Sequence, residues 1–136
     1  SHGIEAIRDT RLLPFLGRDG DEPKPKAAPY WRSGLTIASI EAGFVGIEML
    51  FDASRIGEAT PDAQRWVASG VAFEFANVER AADAVTLPFE AALADEAQRR
   101  AMGYLVILSQ SLQALLGESL AAALGLSVGF SSLDGD

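Results

Sequence analysis

Residues 102–116 read MGYLVILSQSLQALL, and the apolar side chains of this stretch recur every three or four positions. That spacing places them on one face of an α-helix. Asp95 is a suitable N-cap and Gly125 a suitable stop, so we predict one long helix from about Asp95 to Leu124. Its apolar face consists of Met102, Leu105, Leu108, Leu112, Leu115 and Leu116. A helix with such a face needs other helices to cover it.

The remaining chain also shows helical periodicity, and glycine and proline divide it into blocks. The predicted helices lie at about 4–15, 34–53, 60–84 and 88–94, with a loop at 17–29 and an irregular tail at 126–136. Ser33 is the predicted N-cap of the second helix. No stretch alternates apolar and polar residues as a half-buried strand does. We therefore predict an all-α fold, an antiparallel up-and-down helical bundle, with residues 1–136 as a single helical-bundle domain.

Charge and composition exclude several classes of function. Lys and Arg number 11 against 19 Asp and Glu, so the formal net charge is −8, and nucleic acid repels such an acidic chain. The absence of cysteine excludes disulfide scaffolds and thiolate zinc sites. Polar residues interrupt the apolar stretch at 102–126, so we predict no transmembrane segment in this chain.

Metal-binding candidates are few. The single histidine is His2, so these residues cannot form a histidine-based triad or a histidine-rich metal site. The second predicted helix carries Glu41 and Glu48, two turns apart, beside the apolar stripe around Phe44. Carboxylates spaced in this way can bind iron inside helical bundles, where they normally act together with histidine. The alternative is that both side chains form a solvated edge of the bundle.

Glu74 lies on the apolar stripe of the third predicted helix, between Val71 and Val78. A carboxylate in such a position has to be paired, hydrogen-bonded or protonated, because burying it alone is costly. Asn77 is its neighbour one turn along the helix. We expect Glu74 to be buried with an arginine partner, and the candidates are Arg11, Arg32 and Arg80. The alternative is that this carboxylate binds a ligand or a metal ion.

The segment Pro29–Gly34, PYWRSG, leads into the second predicted helix. An aromatic residue beside an arginine at a helix start can hold an anion or simply anchor the loop. Trp31 and Arg32 are such a pair. The candidate ligand-binding residues are therefore Arg11, Trp31, Arg32, Glu74, Asn77 and Arg80.

Several runs of the chain resemble the imelysin-like family. They are Gly3–Leu12, Tyr30–Thr36, Phe73–Asn77 and the segments of residues 117–136, in the family's order. The resemblance is to the C-terminal half of a longer protein. It implies an exported bacterial protein, periplasmic or lipid-anchored, that is linked to iron uptake. It also implies a fold of two helical bundles related by an approximate internal two-fold axis.

The family's hallmark, Gly-x-His-x-x-Glu, belongs to its N-terminal half. The nearest local echo is Gly43–Glu48, which has Val45 in place of the histidine and makes Glu48 a candidate metal ligand. The resemblance implies that iron or another divalent cation would be bound through the N-terminal half. That half, or a second copy of this chain, is the expected partner. Because the first predicted helix begins without an N-cap, we expect its apolar face to need this partner.

The family is also classed among the peptidases, as class M75. These residues supply no nucleophile, metal-bound water or paired general base. We therefore predict a binding module linked to iron uptake. The alternatives are a metallopeptidase of the imelysin class and a structural bundle that supports the other half.

Overall fold

The structure, a computed structural model, describes residues 2–17 and 21–126. The chain begins with α1 (His2–Ile7), a π-helical turn (Arg8–Leu12) and α2 (Leu13–Leu16), followed by 3₁₀ turns at Pro25–Ala27 and Trp31–Ser33. The next helices are α3 (Thr36–Ser54), α4 (Arg65–Asp83) and α5 (Phe89–Ala94), with 3₁₀ turns at Ile56–Ala59 and Asp62–Gln64. Then α6 (Glu96–Ala114) continues through a π-helical turn (Leu115–Ser119) into α7 (Leu120–Ala123). The described residues contain no strand, and the all-α prediction is confirmed.

The long helices α4 and α6 run antiparallel. Hydrogen bonds join Ser111 to Glu74 and Gln98 to Thr86, so residue numbers rise along one helix as they fall along the other. α4 also packs against α3, and α1 packs against both α3 and α6. The predicted antiparallel helical bundle is therefore the observed architecture.

The core lies between these helices, and it contains the apolar faces predicted for the first and last of them. Its most deeply buried side chains are Ile4, Leu12, Phe15, Ile40, Phe44, Val71, Met102, Leu105, Leu108 and Leu112. Each large apolar side chain buried in this way stabilises the fold by about 1.5–3 kcal/mol. The apolar face of the first helix is covered by α3 and α6 of the same chain, so its burial does not require an outside partner. The partner itself stays a prediction.

The helix starts show one correct and one wrong prediction. Asp95 is the N-cap of α6, and its Oδ1 accepts a hydrogen bond of 2.9 Å from the backbone N–H of Gln98. Ser33 does not cap α3, since its hydroxyl donates instead to the carbonyl of Tyr30. The buried Thr36 anchors that helix start, because its hydroxyl donates to the carbonyl of Pro29 over 2.7 Å.

The continuous helix Glu96–Ala123 is long and apolar enough to cross a membrane by length and composition alone. From the sequence we predict no transmembrane segment here, because polar residues interrupt the apolar stretch. In the fold it lies beside α1, α4 and α5, and its apolar stripe forms part of the core. Core helices of globular bundles have the same composition. Of the predicted tail, residues 127–136 lie outside the described part of the chain.

Candidate functional site

Glu74 is partly buried where α4 meets α6. Its Oε1 accepts a hydrogen bond of 2.6 Å from the Ser111 hydroxyl, and its Oε2 accepts one of 3.3 Å from the Asn77 amide. The Asn77 carbonyl oxygen in turn accepts a hydrogen bond from Arg80. Steps of three residues place Glu74, Asn77 and Arg80 on one flank of α4. The result is a polar chain of four side chains that ends at an exposed guanidinium.

The predicted arginine partner of Glu74 is wrong. The carboxylate is satisfied by a hydroxyl and an amide, and Arg80 reaches it only through Asn77. The reason is geometric, since residues six positions apart do not face each other on a helix whereas residues three apart do. Arg11 lies elsewhere, where its Nη1 donates to the carbonyl of Ser39 over 3.1 Å. That bond ties the first helix to the start of α3.

Trp31 and Arg32 line an open groove of about 760 Å³ between the Trp31–Ser33 turn, α3, α4 and α5. The Arg32 guanidinium carbon lies 5.2 Å from the centre of the Trp31 ring, and the Lys26 ammonium lies 6.0 Å from it. Both distances are typical of cation–π contacts. The apolar lining includes Ile37, Val85, Leu87 and Phe89, and the carboxylates are Glu41, Asp83 and Glu90.

This groove therefore combines an aromatic ring, an apolar wall, one lining cation and three lining carboxylates, while Lys26 lies over the ring without lining the groove. Such a combination suits a small ligand with an apolar body and few charged groups, because a small number of polar contacts fixes the orientation while the apolar wall supplies affinity. Of the six candidate ligand-binding residues, the groove brings together Trp31 and Arg32. Glu74, Asn77 and Arg80 form the separate polar chain on α4, and Arg11 belongs to neither.

Glu48 lies on the side of α3 that is turned toward α4. Burial, and then the nearby carboxylates of Asp52 and Glu79, raise the pKa of Glu48 above its ordinary value. Within residues 2–17 and 21–126, no group of three His, Cys, Asp or Glu side chains is placed to hold a metal ion. In that part of the chain, Glu48 therefore has no two further side chains of these types placed to share a metal ion with it. In the predicted echo of the family hallmark, Gly43 has a packing role, since a Cβ there would lie 3.0 Å from Ile7 Cδ1.

The sequence profile described as imelysin, of peptidase class M75, matches residues 1–118. This chain belongs to the imelysin family. The match covers both the Trp31 groove and the polar chain of Glu74. No curated protein and no solved structure gives a significant match.

Two polar contacts of this imelysin-family chain were not predicted from the sequence, the one between Arg8 and Gln113 and the one between Ser111 and Glu74. Arg8 donates to Gln113 Oε1 over 2.6 Å, and a second hydrogen bond from its Nε to Asp9 Oδ1 helps to raise the pKa of Arg8. Arg8 follows the buried Ile4 by four positions, so helical spacing places it at the edge of the apolar face. That spacing could have indicated that Arg8 has a partner. Nothing in the sequence indicated that Ser111 would contact Glu74, because a serine on a long helix is ordinarily exposed to solvent.

Proposed function

We propose that this imelysin-family chain is a binding module linked to iron uptake, and that it works in the periplasm or anchored to the cell envelope. The family membership supports this proposal. The observation that carries it is the placement of Lys26 and Arg32 over Trp31 at the Trp31 groove, in a chain whose net charge is −8. A pair of cations at one aromatic ring favours an anionic group at that ring, whereas the lining carboxylates Glu41, Asp83 and Glu90 oppose further negative charge in the groove.

An iron chelate that presents one anionic group to the Trp31 ring and carries little further negative charge has the chemistry that this groove suits. Its negative charge would be held by Arg32 and Lys26, and its organic part would contact Trp31 and the apolar wall. In such a complex the chelator supplies the metal ligands, so the protein needs no metal centre of its own. The proposal is therefore consistent with the scattered carboxylates of the described residues.

Tryptophan fluorescence tests this proposal directly. The chain has two tryptophans, so Trp66→Phe leaves Trp31 as the only one. In that background we expect ferric citrate to quench Trp31 saturably, with a dissociation constant on the order of micromolar. Arg32→Ala should weaken the binding about tenfold, whereas Arg100→Ala, which removes an exposed arginine paired with Glu96, should leave it unchanged. Equal effects of the two substitutions, or no saturation, would refute the proposal.

The family's peptidase class supplies a second candidate, a metallopeptidase. In this chain Glu48 is the carboxylate that the hallmark echo singles out. The test is cleavage of unfolded casein in the presence of Zn²⁺ or Fe²⁺, compared between the unsubstituted chain and Glu48→Gln. Metal-dependent cleavage that the substitution abolishes would place the enzyme ahead of the binding module.

A further inference from the structure

The outer side of α3 is apolar along its whole length. Within residues 36–54, all of which the structure describes, Asp52 is the one exposed charged residue. The large exposed side chains on or beside this helix are Leu35 (54%), Val45 (44%), Met49 (65%) and Leu50 (71%). We define the α3 outer face as Leu35, Ala38, Ala42, Val45, Gly46, Met49, Leu50 and Ala53.

The other two long helices expose more charged residues. These are Arg65, Glu79, Arg80 and Asp83 on α4 and Glu96, Arg99 and Arg100 at the start of α6. Both helices also expose large apolar side chains, which are Trp66 and Phe73 on α4 and Tyr104 and Ile107 on α6. A helix at the surface of a globular protein normally presents such residues to solvent, and one that is apolar all round is normally covered on both sides. The composition of α3 is therefore that of a helix with a partner on its outer face.

The surface shape of the α3 outer face allows a second helix to pack against it. Ala38, Ala42 and Gly46 recur every four residues and form a shallow row without large side chains. A Cβ added at Gly46 would meet no atom within 4 Å, so the space above this row is open. Rows of this spacing are the grooves into which the ridges of a neighbouring helix pack. Val45 and Met49 stand beside the row as apolar contacts.

One edge of the α3 outer face is acidic. Glu41, Glu48 and Asp52 follow one another along the side that is turned toward α4, and Glu79 of α4 lies close to Glu48. Like charges at such spacing repel one another, and a cation placed among them relieves that repulsion. A second copy of this chain would bring the same acidic edge and a net charge of −8. An anionic membrane surface would be repelled for the same reason.

We propose that the α3 outer face binds an amphipathic helix of a partner protein, whose apolar stripe covers Ala38, Ala42 and Gly46 and whose basic edge meets Glu41, Glu48 and Asp52. Helix-in-groove recognition of this kind uses anchors one turn apart together with complementary charge at the rim. Ala38 and Glu41 also line the Trp31 groove, so the two sites adjoin. Val45 and Met49 do not line the groove, so substitutions at these two positions test this inference separately.

The probe is a synthetic amphipathic helix of about 20 residues, long enough to be helical in water. It carries leucine and alanine on one stripe and lysine along one edge, and a matched peptide has glutamate in place of every lysine. Fluorescence anisotropy of the labelled peptides measures binding. We expect the lysine peptide to bind at least about tenfold more tightly than the glutamate peptide. Equal affinities would overturn the proposal.

Two substitutions of equal charge locate the binding face. Met49→Lys should weaken binding of the lysine peptide at least about tenfold, and Val45→Lys should act in the same direction. Ile107→Lys is the matched control, since Ile107 is 58% exposed on α6, and it should change affinity by less than about twofold. Equal losses from Met49→Lys and Ile107→Lys would overturn the proposal. So would a dimer of the chain that Met49→Lys dissociates, or binding to phosphatidylglycerol vesicles that the same substitution abolishes. Loss of lysine-peptide binding when the chain is joined to the N-terminal half expected from the family resemblance would overturn it too, because that half would then be the occupant of this face.

Discussion

The Ser111 hydroxyl donates a 2.6 Å hydrogen bond to Glu74 Oε1, and this contact joins α6 to α4 at positions 37 residues apart. It replaces the arginine pair that the apolar stripe around Glu74 led us to expect. A hydroxyl and an amide satisfy the carboxylate without burying a second charge, which avoids the desolvation of a guanidinium. The site therefore has the character of a neutral-donor network rather than of an ion pair.

We expect Glu74→Ala to lower the free energy of unfolding by about 1–2 kcal/mol, because the Ser111 hydroxyl and the Asn77 amide both lose an acceptor. Ser111→Ala should cost about 1 kcal/mol. The double variant should cost less than the sum, since both changes remove the same hydrogen bond. Urea denaturation of the four proteins measures this coupling. Strict additivity would contradict the contact.

Gly43 and Gly46 form a matched pair on one helix. A Cβ at Gly43 would lie 3.0 Å from Ile7 Cδ1, whereas a Cβ at Gly46 would meet nothing within 4 Å. Gly46→Ala should therefore stabilise the chain by about 0.5–1 kcal/mol through helix propensity. Gly43→Ala should lose that gain to crowding between α1 and α3, leaving it at least about 1 kcal/mol less stable than Gly46→Ala. Thermal unfolding of the two variants gives the comparison, and equal melting temperatures would contradict the close approach of Ile7.

The pH dependence of stability should report on Glu48. Burial, with Asp52 and Glu79 nearby, raises the pKa of Glu48 above its ordinary value of 4.5. The folded chain then binds this proton more tightly than the unfolded chain, so the stability it contributes is complete below pH 4.5 and is lost as the pH rises through the raised pKa. We expect Glu48→Gln to be more stable than the unsubstituted chain near neutral pH, and the difference to vanish below pH 4.5. Melting temperatures across this range test it, with the exposed Glu22→Gln as control.

Fe²⁺ alone should bind this chain weakly. His2 is the only imidazole and cysteine is absent, so the side chains available are chiefly carboxylates and amides, which favour hard cations over Fe²⁺. Anaerobic isothermal titration measures the affinity. A dissociation constant in the low micromolar range that Glu48→Ala abolishes would contradict this expectation and make the Gly43–Glu48 echo a metal site.

The helices could be predicted from the sequence because apolar residues recur at the helical period. Their faces were correct at Met102, Leu105 and Leu108, which are all fully buried. The π-helical turns at Arg8–Leu12 and Leu115–Ser119 could not be predicted from the sequence. A single π-helical turn adds only one residue to the helix, and this changes the spacing of the apolar residues too little to be detected.

The site was harder to predict than the fold. The proximity of Trp31 to Arg32 follows from their adjacency, but the groove they line also needs α5, whose position depends on tertiary packing. The hydrogen bonds that Gln98 Oε1 accepts from the backbone N–H groups of Thr86 and Leu87 depend on the same packing. Periodicity shows which face of a helix is apolar but not which side chain it will meet. The α3 outer face was not predicted, because the apolar stripe around Phe44 was enough to predict the helix and its buried side.

The hydrogen bond between Arg8 and Gln113 spans 105 positions of the chain. During synthesis α1 is complete long before α6 exists, and at the usual rates of translation the delay is roughly 5 to 20 seconds. Throughout that time Ile4, Leu12 and Phe15 have no α6 to cover them. The core around these side chains can therefore close only at the end of synthesis, after α6 has been made.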